Sequence, residues 1–384
     1  MQKKTILFLE FCRIGGPPNR LIDILQYIKK YESHNYDCVV AGPPNSLLKR
    51  AVQKIGFSYH SLPIIEETAL SYNSLKKIRS FLSSLINLLS LAVRYRASTI
   101  YANHYSWGDY ANLVGFILNK AVIIHLRDVW PVESKTARML LKFNHRTHYL
   151  AISKYVKKVF ADEYKFNRHQ IFTIYDAIDG HVFYPLQPGA VVQKQLSTEK
   201  TITMMSRVEK SRNIEIFIDA AAILRKKHHN LRFIHYGYNS RSGDKSYLTM
   251  LKKQVSILGL SDSFNFHLYL ANFTGVAQTL RASYLTIVPA GRFALPNTMI
   301  ESIFCGTPVI AYNTGGNPEI IINNKTGILL EINSPIAYAN AIENCLTDNH
   351  LYTTLSSEGL KKVNQKFSHK RILSRILSII DNSI

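Results

Sequence analysis

Ala294-Leu295-Pro296-Asn297-Thr298-Met299-Ile300-Glu301-Ser302-Ile303-Phe304-Cys305-Gly306-Thr307-Pro308-Val309-Ile310-Ala311 reads as a loop, a helix and a buried strand in direct succession. The helix starts near Asn297, carries Glu301 one turn in, and stops at Gly306-Thr307-Pro308. Val309-Ile310-Ala311 is the short apolar run of a strand covered on both faces. Free N–H groups at the start of such a helix make an anion site suited to a diphosphate. Asn313-Thr314-Gly315-Gly316-Asn317-Pro318-Glu319 is a second glycine-rich loop into a second helix. Two such loops in tandem look like a nucleotide-diphosphate cradle. On loop chemistry alone, each is equally an ordinary strand–helix connection.

Upstream, the same alternation repeats. Strands are expected at Thr201–Met205, Leu231–Tyr236, Phe264–His267 and Tyr284–Val288, with helices at Asn213–Lys227 and Tyr247–Leu258. An earlier series precedes it. It has strands at Ile6–Phe11, Cys38–Ala41, Thr99–Ala102, Ala121–His125 and Tyr149–Ile152. Gly15-Gly16-Pro17-Pro18 is a turn, Leu21, Ile24, Leu25 and Ile28 recur at helical spacing, and helices follow at Ser46–Ile55 and Trp107–Leu118 and from Lys154. Strands alternating with helices imply parallel sheets covered on both faces. The polar stretch from Tyr184 to Lys200 separates the two series. The expected fold class is α/β, with two Rossmann-like doubly wound parallel-sheet domains facing across a cleft. The divisions are 1–185, 186–366 and a C-terminal helix, 367–384, that crosses back to the first domain.

Composition narrows the partners. The chain has 384 residues and 47 Lys+Arg against 26 Asp+Glu, a net charge of +21. Residues 1–185 carry 25 basic and 13 acidic side chains and residues 186–384 carry 22 and 13, so the charge is spread and not held in a tail. That argues against a disordered nucleic-acid arm, and no recognised nucleic-acid motif is present. Anionic metabolites or an anionic membrane surface remain. The helix from Lys76 to Arg96 is apolar with basic ends, which fits either membrane contact or packing on its sheet with solvated ends. No run of about 18 uncharged apolar residues exists to span a bilayer. The short apolar run after Lys3-Lys4 reads as a strand and not as a secretory signal. Cys12, Cys38, Cys305 and Cys345 form no Cys-x-x-Cys pair and suit a reducing compartment, and no His/Asp/Glu cluster has metal spacing.

Ala294 to Glu319 resembles the donor-binding signature of the retaining, nucleotide-sugar-dependent glycosyltransferases of family four, which have the GT-B fold. The likeness extends along the chain. Gly15-Gly16 is similar to the family's first glycine loop, and Ala151-Ile152-Ser153-Lys154 to its strand-then-serine step. Tyr175-Asp176-Ala177-Ile178-Asp179 is similar to its hinge approach, and Ser206-Arg207 with Arg212-Asn213 to its Gly-Arg…Lys-Gly segment. The order and spacing together carry the assignment.

The resemblance implies transfer of a hexosyl or N-acetylhexosaminyl group from a nucleotide diphosphate sugar to a glycan or lipid-linked acceptor held by the first domain. It implies bacterial surface polysaccharide (O-antigen or capsule) assembly. The protein would be cytoplasmic, or peripheral on the inner face of the plasma membrane. No cofactor and no metal are implied; the nucleotide sugar is a substrate. Arg207 and Arg212 would grip the diphosphate, with Lys210 as a nearby substitute. Gly15, Gly16, Ala294, Leu295, Pro296, Asn297 and Thr298 would line the donor, and Glu301 would accept from the ribose hydroxyls. His104 and His125, at strand ends, are candidates to touch the donor sugar; Arg127 and Asp128 read most simply as a mutual ion pair. Phe293 stands where the family has a second glutamate facing the transferred sugar. Backbone amides of 294–297 take over that contact, another acid serves, or the chain is a non-catalytic GT-B glycan-binding partner subunit.

Overall fold

The computed structural model describes residues 3–10, 16–44, 46–62, 75–129, 139, 141–185, 190–237, 245–268, 273–289, 291 and 294–383. The chain divides into two compact units, residues 1–177 with 369–384, and residues 178–368.

The first unit is built on a seven-stranded sheet with the order β3-β2-β1-β4-β5-β6-β7. Its strands are β1 (Lys4–Leu9), β2 (Tyr36–Gly42), β3 (Ser58–Ser61), β4 (Thr99–Ala102), β5 (Ala121–Leu126), β6 (Thr147–Ala151) and β7 (Ile171–Thr173). Every pairing is parallel. β1 is Lys-Thr-Ile-Leu-Phe-Leu, and Ile6 to Leu9 are fully buried because helices cover both faces. The chain does not pause in a turn at Pro17-Pro18. The helix Gly16–Tyr27 starts at Gly16, and both prolines sit in its first turn, where a missing N–H costs nothing. Ser46 caps the helix Leu47–Ile55 through the Lys49 N–H, and Gly56 ends it at φ 93°. The helix His369–Ser383 belongs to this unit. Its Ile372, Leu373, Ile376, Leu377 and Ile380 are buried, and Lys4 Nζ meets Asp381 at 2.7 Å.

The second unit has a six-stranded sheet, β10-β9-β8-β11-β12-β13. These strands are β8 (Lys200–Met205), β9 (Leu231–Gly237), β10 (Phe264–Leu268), β11 (Leu285–Val288), β12 (Val309–Tyr312) and β13 (Ile328–Leu330), again all parallel. Phe217, Phe233, Phe264, Tyr338 and Tyr352 fill one core with Ile202, Leu285 and Ile310.

The boundary falls at Ala177 and not at residue 185. Ile178 bridges Ser368, Phe183 is buried, and Arg281 Nη1 donates to the Val182 carbonyl at 2.9 Å while its guanidinium lies over the Tyr184 ring. The polar stretch after Tyr184 is also not all linker. Its residues 190–196 form the helix Ala190–Leu196, and Lys194 is half-buried there with Nζ 2.6 Å from Thr307 Oγ1. Burial lowers that ammonium to about 8, against an ordinary value of 10.5. A lysine stem packs like an apolar chain once its head has a partner, which a reading by composition does not anticipate.

Candidate functional site

In a doubly wound sheet, ligands bind beyond the carboxyl ends of the strands where the strand order reverses. In the second unit that point lies between β8 and β11. Ser206 follows β8 and stays tied to β9, with its N–H donating to the Tyr236 carbonyl and its Oγ 3.0 Å from His235 Nε2. Arg207 then leaves the sheet. Its Nη1 lies 3.0 Å from Glu209, whose other carboxylate oxygen is 3.5 Å from Arg212 Nε. Lys210–Arg212 form one 3-10 turn with Lys210 exposed, and Asn213 closes it in the left-handed region at φ 54°. Asn213 Nδ2 donates to the Pro289 carbonyl at 2.9 Å, clipping this turn to the end of β11. Asn333 Nδ2 donates to the same carbonyl from the other side, at 2.9 Å.

The chain beyond β11 leads to the helix Asn297–Phe304. Ala294 and Leu295 are buried, Pro296 caps the helix in an extended conformation, and Asn297 and Thr298 open its first turn half-buried. Glu301 is buried one turn in. The second glycine-rich loop packs directly on the first: a Cβ placed on Gly316 would lie 2.3 Å from the Ala294 carbonyl oxygen. Thus Glu209 holds Arg207 and Arg212 together in one turn, Asn213 ties that turn to the end of β11, and the two glycine-rich loops that follow touch each other. Two guanidiniums and a helix N-terminus are suited to a diphosphate. Gly15 and Phe293 lie outside the described residues. Gly16 is exposed, and a Cβ there would meet nothing within 4 Å, so packing does not require a glycine at that position.

In the first unit the strand order reverses between β1 and β4. Glu10 and Asn103 follow these strands, both fully buried and hydrogen-bonded to each other. Arg127 ties the rest together. Its Nε donates to the Asn103 carbonyl and its Nη2 to Asn103 Oδ1, each at 2.8 Å, and its Nη1 to Asp176 at 2.5 Å. Arg127 therefore does not pair with its neighbour Asp128, since consecutive residues leaving a strand point apart. His125 Nδ1 lies 3.0 Å from the Tyr101 hydroxyl and 3.1 Å from Arg127 Nη2. Burial, followed by the Arg127 charge, holds this imidazole well below its usual range, so it is neutral, and because a guanidinium can only donate, Nδ1 is the acceptor toward Arg127. That burial removes His125 from reach of a substrate. His104 is also nearly enclosed. Its Nδ1 accepts from the Ser106 N–H and its Nε2 lies 3.3 Å from Asp128. Both ring nitrogens are thus engaged.

Sequence reading missed Glu209, although its place two residues after Arg207 and three before Arg212 was a usable signal. It also missed Glu10 and Asn103, and it read Asp176 only as part of the hinge approach; that Arg127 meets Asp176 has no local signal, because the two are 49 residues apart. Among the described residues, no group of three or more His, Cys, Asp or Glu is placed to hold a metal ion, and no helix is long and apolar enough to cross a membrane.

The class to which this architecture belongs is the GT-B fold: two Rossmann-like all-parallel units in one chain. The structure of HepE from Anabaena, solved with UDP and glucose, has a TM-score of 0.82 at 21% identity, covering 99% of this chain and 100% of that one. A glycosyltransferase from Rickettsia africae has the same TM-score at 19% identity, covering 100% of this chain and 99% of that one. By sequence, residues 191–362 match the family described as glycosyl transferases group 1. A capsular polysaccharide biosynthesis glycosyltransferase of Staphylococcus aureus is 27% identical over 191 residues, 48% of this chain and 47% of the relative. A D-inositol 3-phosphate glycosyltransferase of Paenarthrobacter aurescens is 28% identical over 147 residues, 38% of this chain and 35% of that relative. The matched stretch spans less than half the length of either relative.

Proposed function

We propose that the protein is a metal-independent, retaining glycosyltransferase. It moves a hexosyl or N-acetylhexosaminyl group from a nucleotide diphosphate sugar to a glycan or lipid-linked acceptor. The setting is bacterial surface polysaccharide assembly, O-antigen or capsule, at the inner face of the plasma membrane. The observation that carries this reading is the Arg207–Glu209–Arg212 turn, clipped by Asn213 to the end of β11, from which the chain runs on to the helix beginning at Asn297. Similarity to a capsular polysaccharide enzyme and to a fold solved with UDP supports the donor class and the setting.

The chemistry asked of the site is electrostatic. Breaking the bond from the anomeric carbon to the phosphate oxygen leaves charge on the diphosphate, which Arg207, Arg212 and the amides of 297–298 stabilise. The acceptor hydroxyl attacks the same face and hands its proton to a phosphate oxygen, so a side-chain base is not required. Glu301 accepts from the ribose hydroxyls, and the first unit takes the acceptor. The deciding experiment incubates the full chain, treated with chelator, with a panel of nucleotide sugars. Released nucleoside diphosphate and the anomeric configuration of the product are followed by NMR.

A second reading rests on Phe293, which cannot accept a hydrogen bond where the resembling family has glutamate. Under it the chain is a glycan-binding partner subunit. It would then bind glycan and turn over no donor, whereas release of nucleoside diphosphate from any donor excludes it. Activity lost to chelator and restored by Mg²⁺ would overturn metal independence.

A further inference from the structure

The helix Leu75–Arg94 has apolar residues on two opposite sides. Leu88, Leu91 and Ala92 are buried. Leu82, Ile86, Leu89 and Val93 fall within roughly 60° of arc on the other side, at 3.6 residues per turn. Among the described residues none covers them fully: Leu82 is 49% exposed, Ile86 64% and Val93 61%, with Leu89 half-buried. The helix Gly108–Ile117 packs beside the helix Leu75–Arg94, with the Phe81 and Tyr110 rings 4.6 Å apart, and ends on exposed Phe116 and Ile117. A helix apolar all round is normally enclosed, and a contiguous exposed patch marks a contact surface.

Charge selects the partner. Residues 75–120 contain Lys76, Lys77, Arg79, Arg94, Arg96 and Lys120 against a single acid, Asp109, which is buried. Arg79, Arg94 and Arg96 are exposed beside the stripe. An apolar stripe with exposed arginines beside it, in a stretch whose one acid is buried, matches a surface with anionic headgroups over acyl chains. We infer that Leu82, Ile86, Leu89 and Val93 form a docking face that lies in the interface of an anionic lipid bilayer. The inference rests on the proposed function for its biological setting, and it names the surface by which the chain reaches a membrane.

The test sediments the full chain with vesicles of phosphatidylglycerol and phosphatidylcholine, or of phosphatidylcholine alone, at low and physiological salt. Binding is expected only with phosphatidylglycerol and should weaken as salt rises. The triple variant L82S/I86S/V93S should bind at least about tenfold more weakly with little change in melting temperature, because all three side chains are exposed. Should that variant not fold, R79E/R94E keeps the stripe and should also bind about tenfold more weakly at low salt. Wild-type-like binding by the folded triple variant, or by R79E/R94E, overturns the inference. So does failure of the wild type to bind phosphatidylglycerol at low salt. A wild-type dimer that the triple variant renders monomeric, with vesicle binding unchanged, would mean that a second copy covers the stripe instead. Nucleotide-sugar turnover is measured separately in detergent-free buffer, so loss of docking and loss of catalysis are told apart.

Discussion

Arg207 and Arg212 share one carboxylate, Glu209, and this arrangement sets what a substitution costs. Arg207 is more than a third exposed, so its pair with Glu209 is screened and adds little to stability. A diphosphate arriving beside it gains a charge-assisted contact. Arg207→Ala should therefore weaken nucleoside diphosphate binding by about 1.5–3 kcal/mol, roughly tenfold to a hundredfold. Calorimetric titration should show the nucleoside without phosphate binding mutant and wild type alike; equal loss for both would place Arg207 away from the phosphates. His235 gives a pH signature. Burial lowers its pKa to about 4, so the folded state keeps it neutral while the unfolded state gains a proton below about 6.5. Stability from this residue is complete above pH 6.5 and falls as pH drops toward 4, with a limiting slope of about 1.4 kcal/mol per pH unit. His125, also held neutral by burial, adds to the same slope. In urea melts at pH 7, 6 and 5, His235→Gln should remove one proton's worth of slope. An unchanged slope would mean that His235 takes up its proton in the fold as readily as in the unfolded chain.

Among the elements, the contact of the two glycine-rich loops is the feature most open to test. Adding one methyl at Gly316 places it 2.3 Å from the Ala294 carbonyl oxygen and 2.8 Å from Leu295 Cδ1. Backbone cannot yield that far without separating the loops, so Gly316→Ala should cost about 1–3 kcal/mol. It should also lower nucleotide affinity, whereas Gly16→Ala meets open space and should change stability little. Equal melting temperatures for Gly316→Ala and wild type would show that the loops do not touch. Elements buried on both faces were legible as apolar runs, as at Thr99–Ala102 and Val309–Ala311. The strands not expected were Ser58–Ser61, Ile171–Thr173 and Ile328–Leu330, each at a sheet edge. An edge strand pairs on one side only and half-faces solvent, so Ser-Tyr-His-Ser serves there without an apolar pattern.

For the whole molecule, two sheets with separate cores in one chain make a single cooperative transition unexpected. Differential scanning calorimetry should resolve two transitions. Saturating nucleoside diphosphate should raise the one that belongs to residues 178–368, by about 2.7 kcal/mol of added stability at a hundredfold excess over Kd. A nucleotide that raised only the first unit's transition would move the donor site to the first unit.

The sequence by itself determined the class of fold, because parallel sheets covered by helices demand short apolar strands alternating with amphipathic helices, and that demand is local. It also singled out Arg207, Arg212 and the glycine-rich loops as candidates, through the family signature they resemble, whereas the tie from their turn to the end of β11 spans 76 residues and was decided by the fold. Only the tertiary structure decided that Arg127 reaches Asp176 and not Asp128, that His125 is enclosed, and that the first unit ends at Ala177. Those outcomes depend on which strand ends the topology brings together across dozens of residues. Tertiary packing likewise buried one side of the helix Leu75–Arg94 and left Leu82, Ile86 and Val93 exposed, since a helix's own sequence records two apolar faces but not which of them the fold buries.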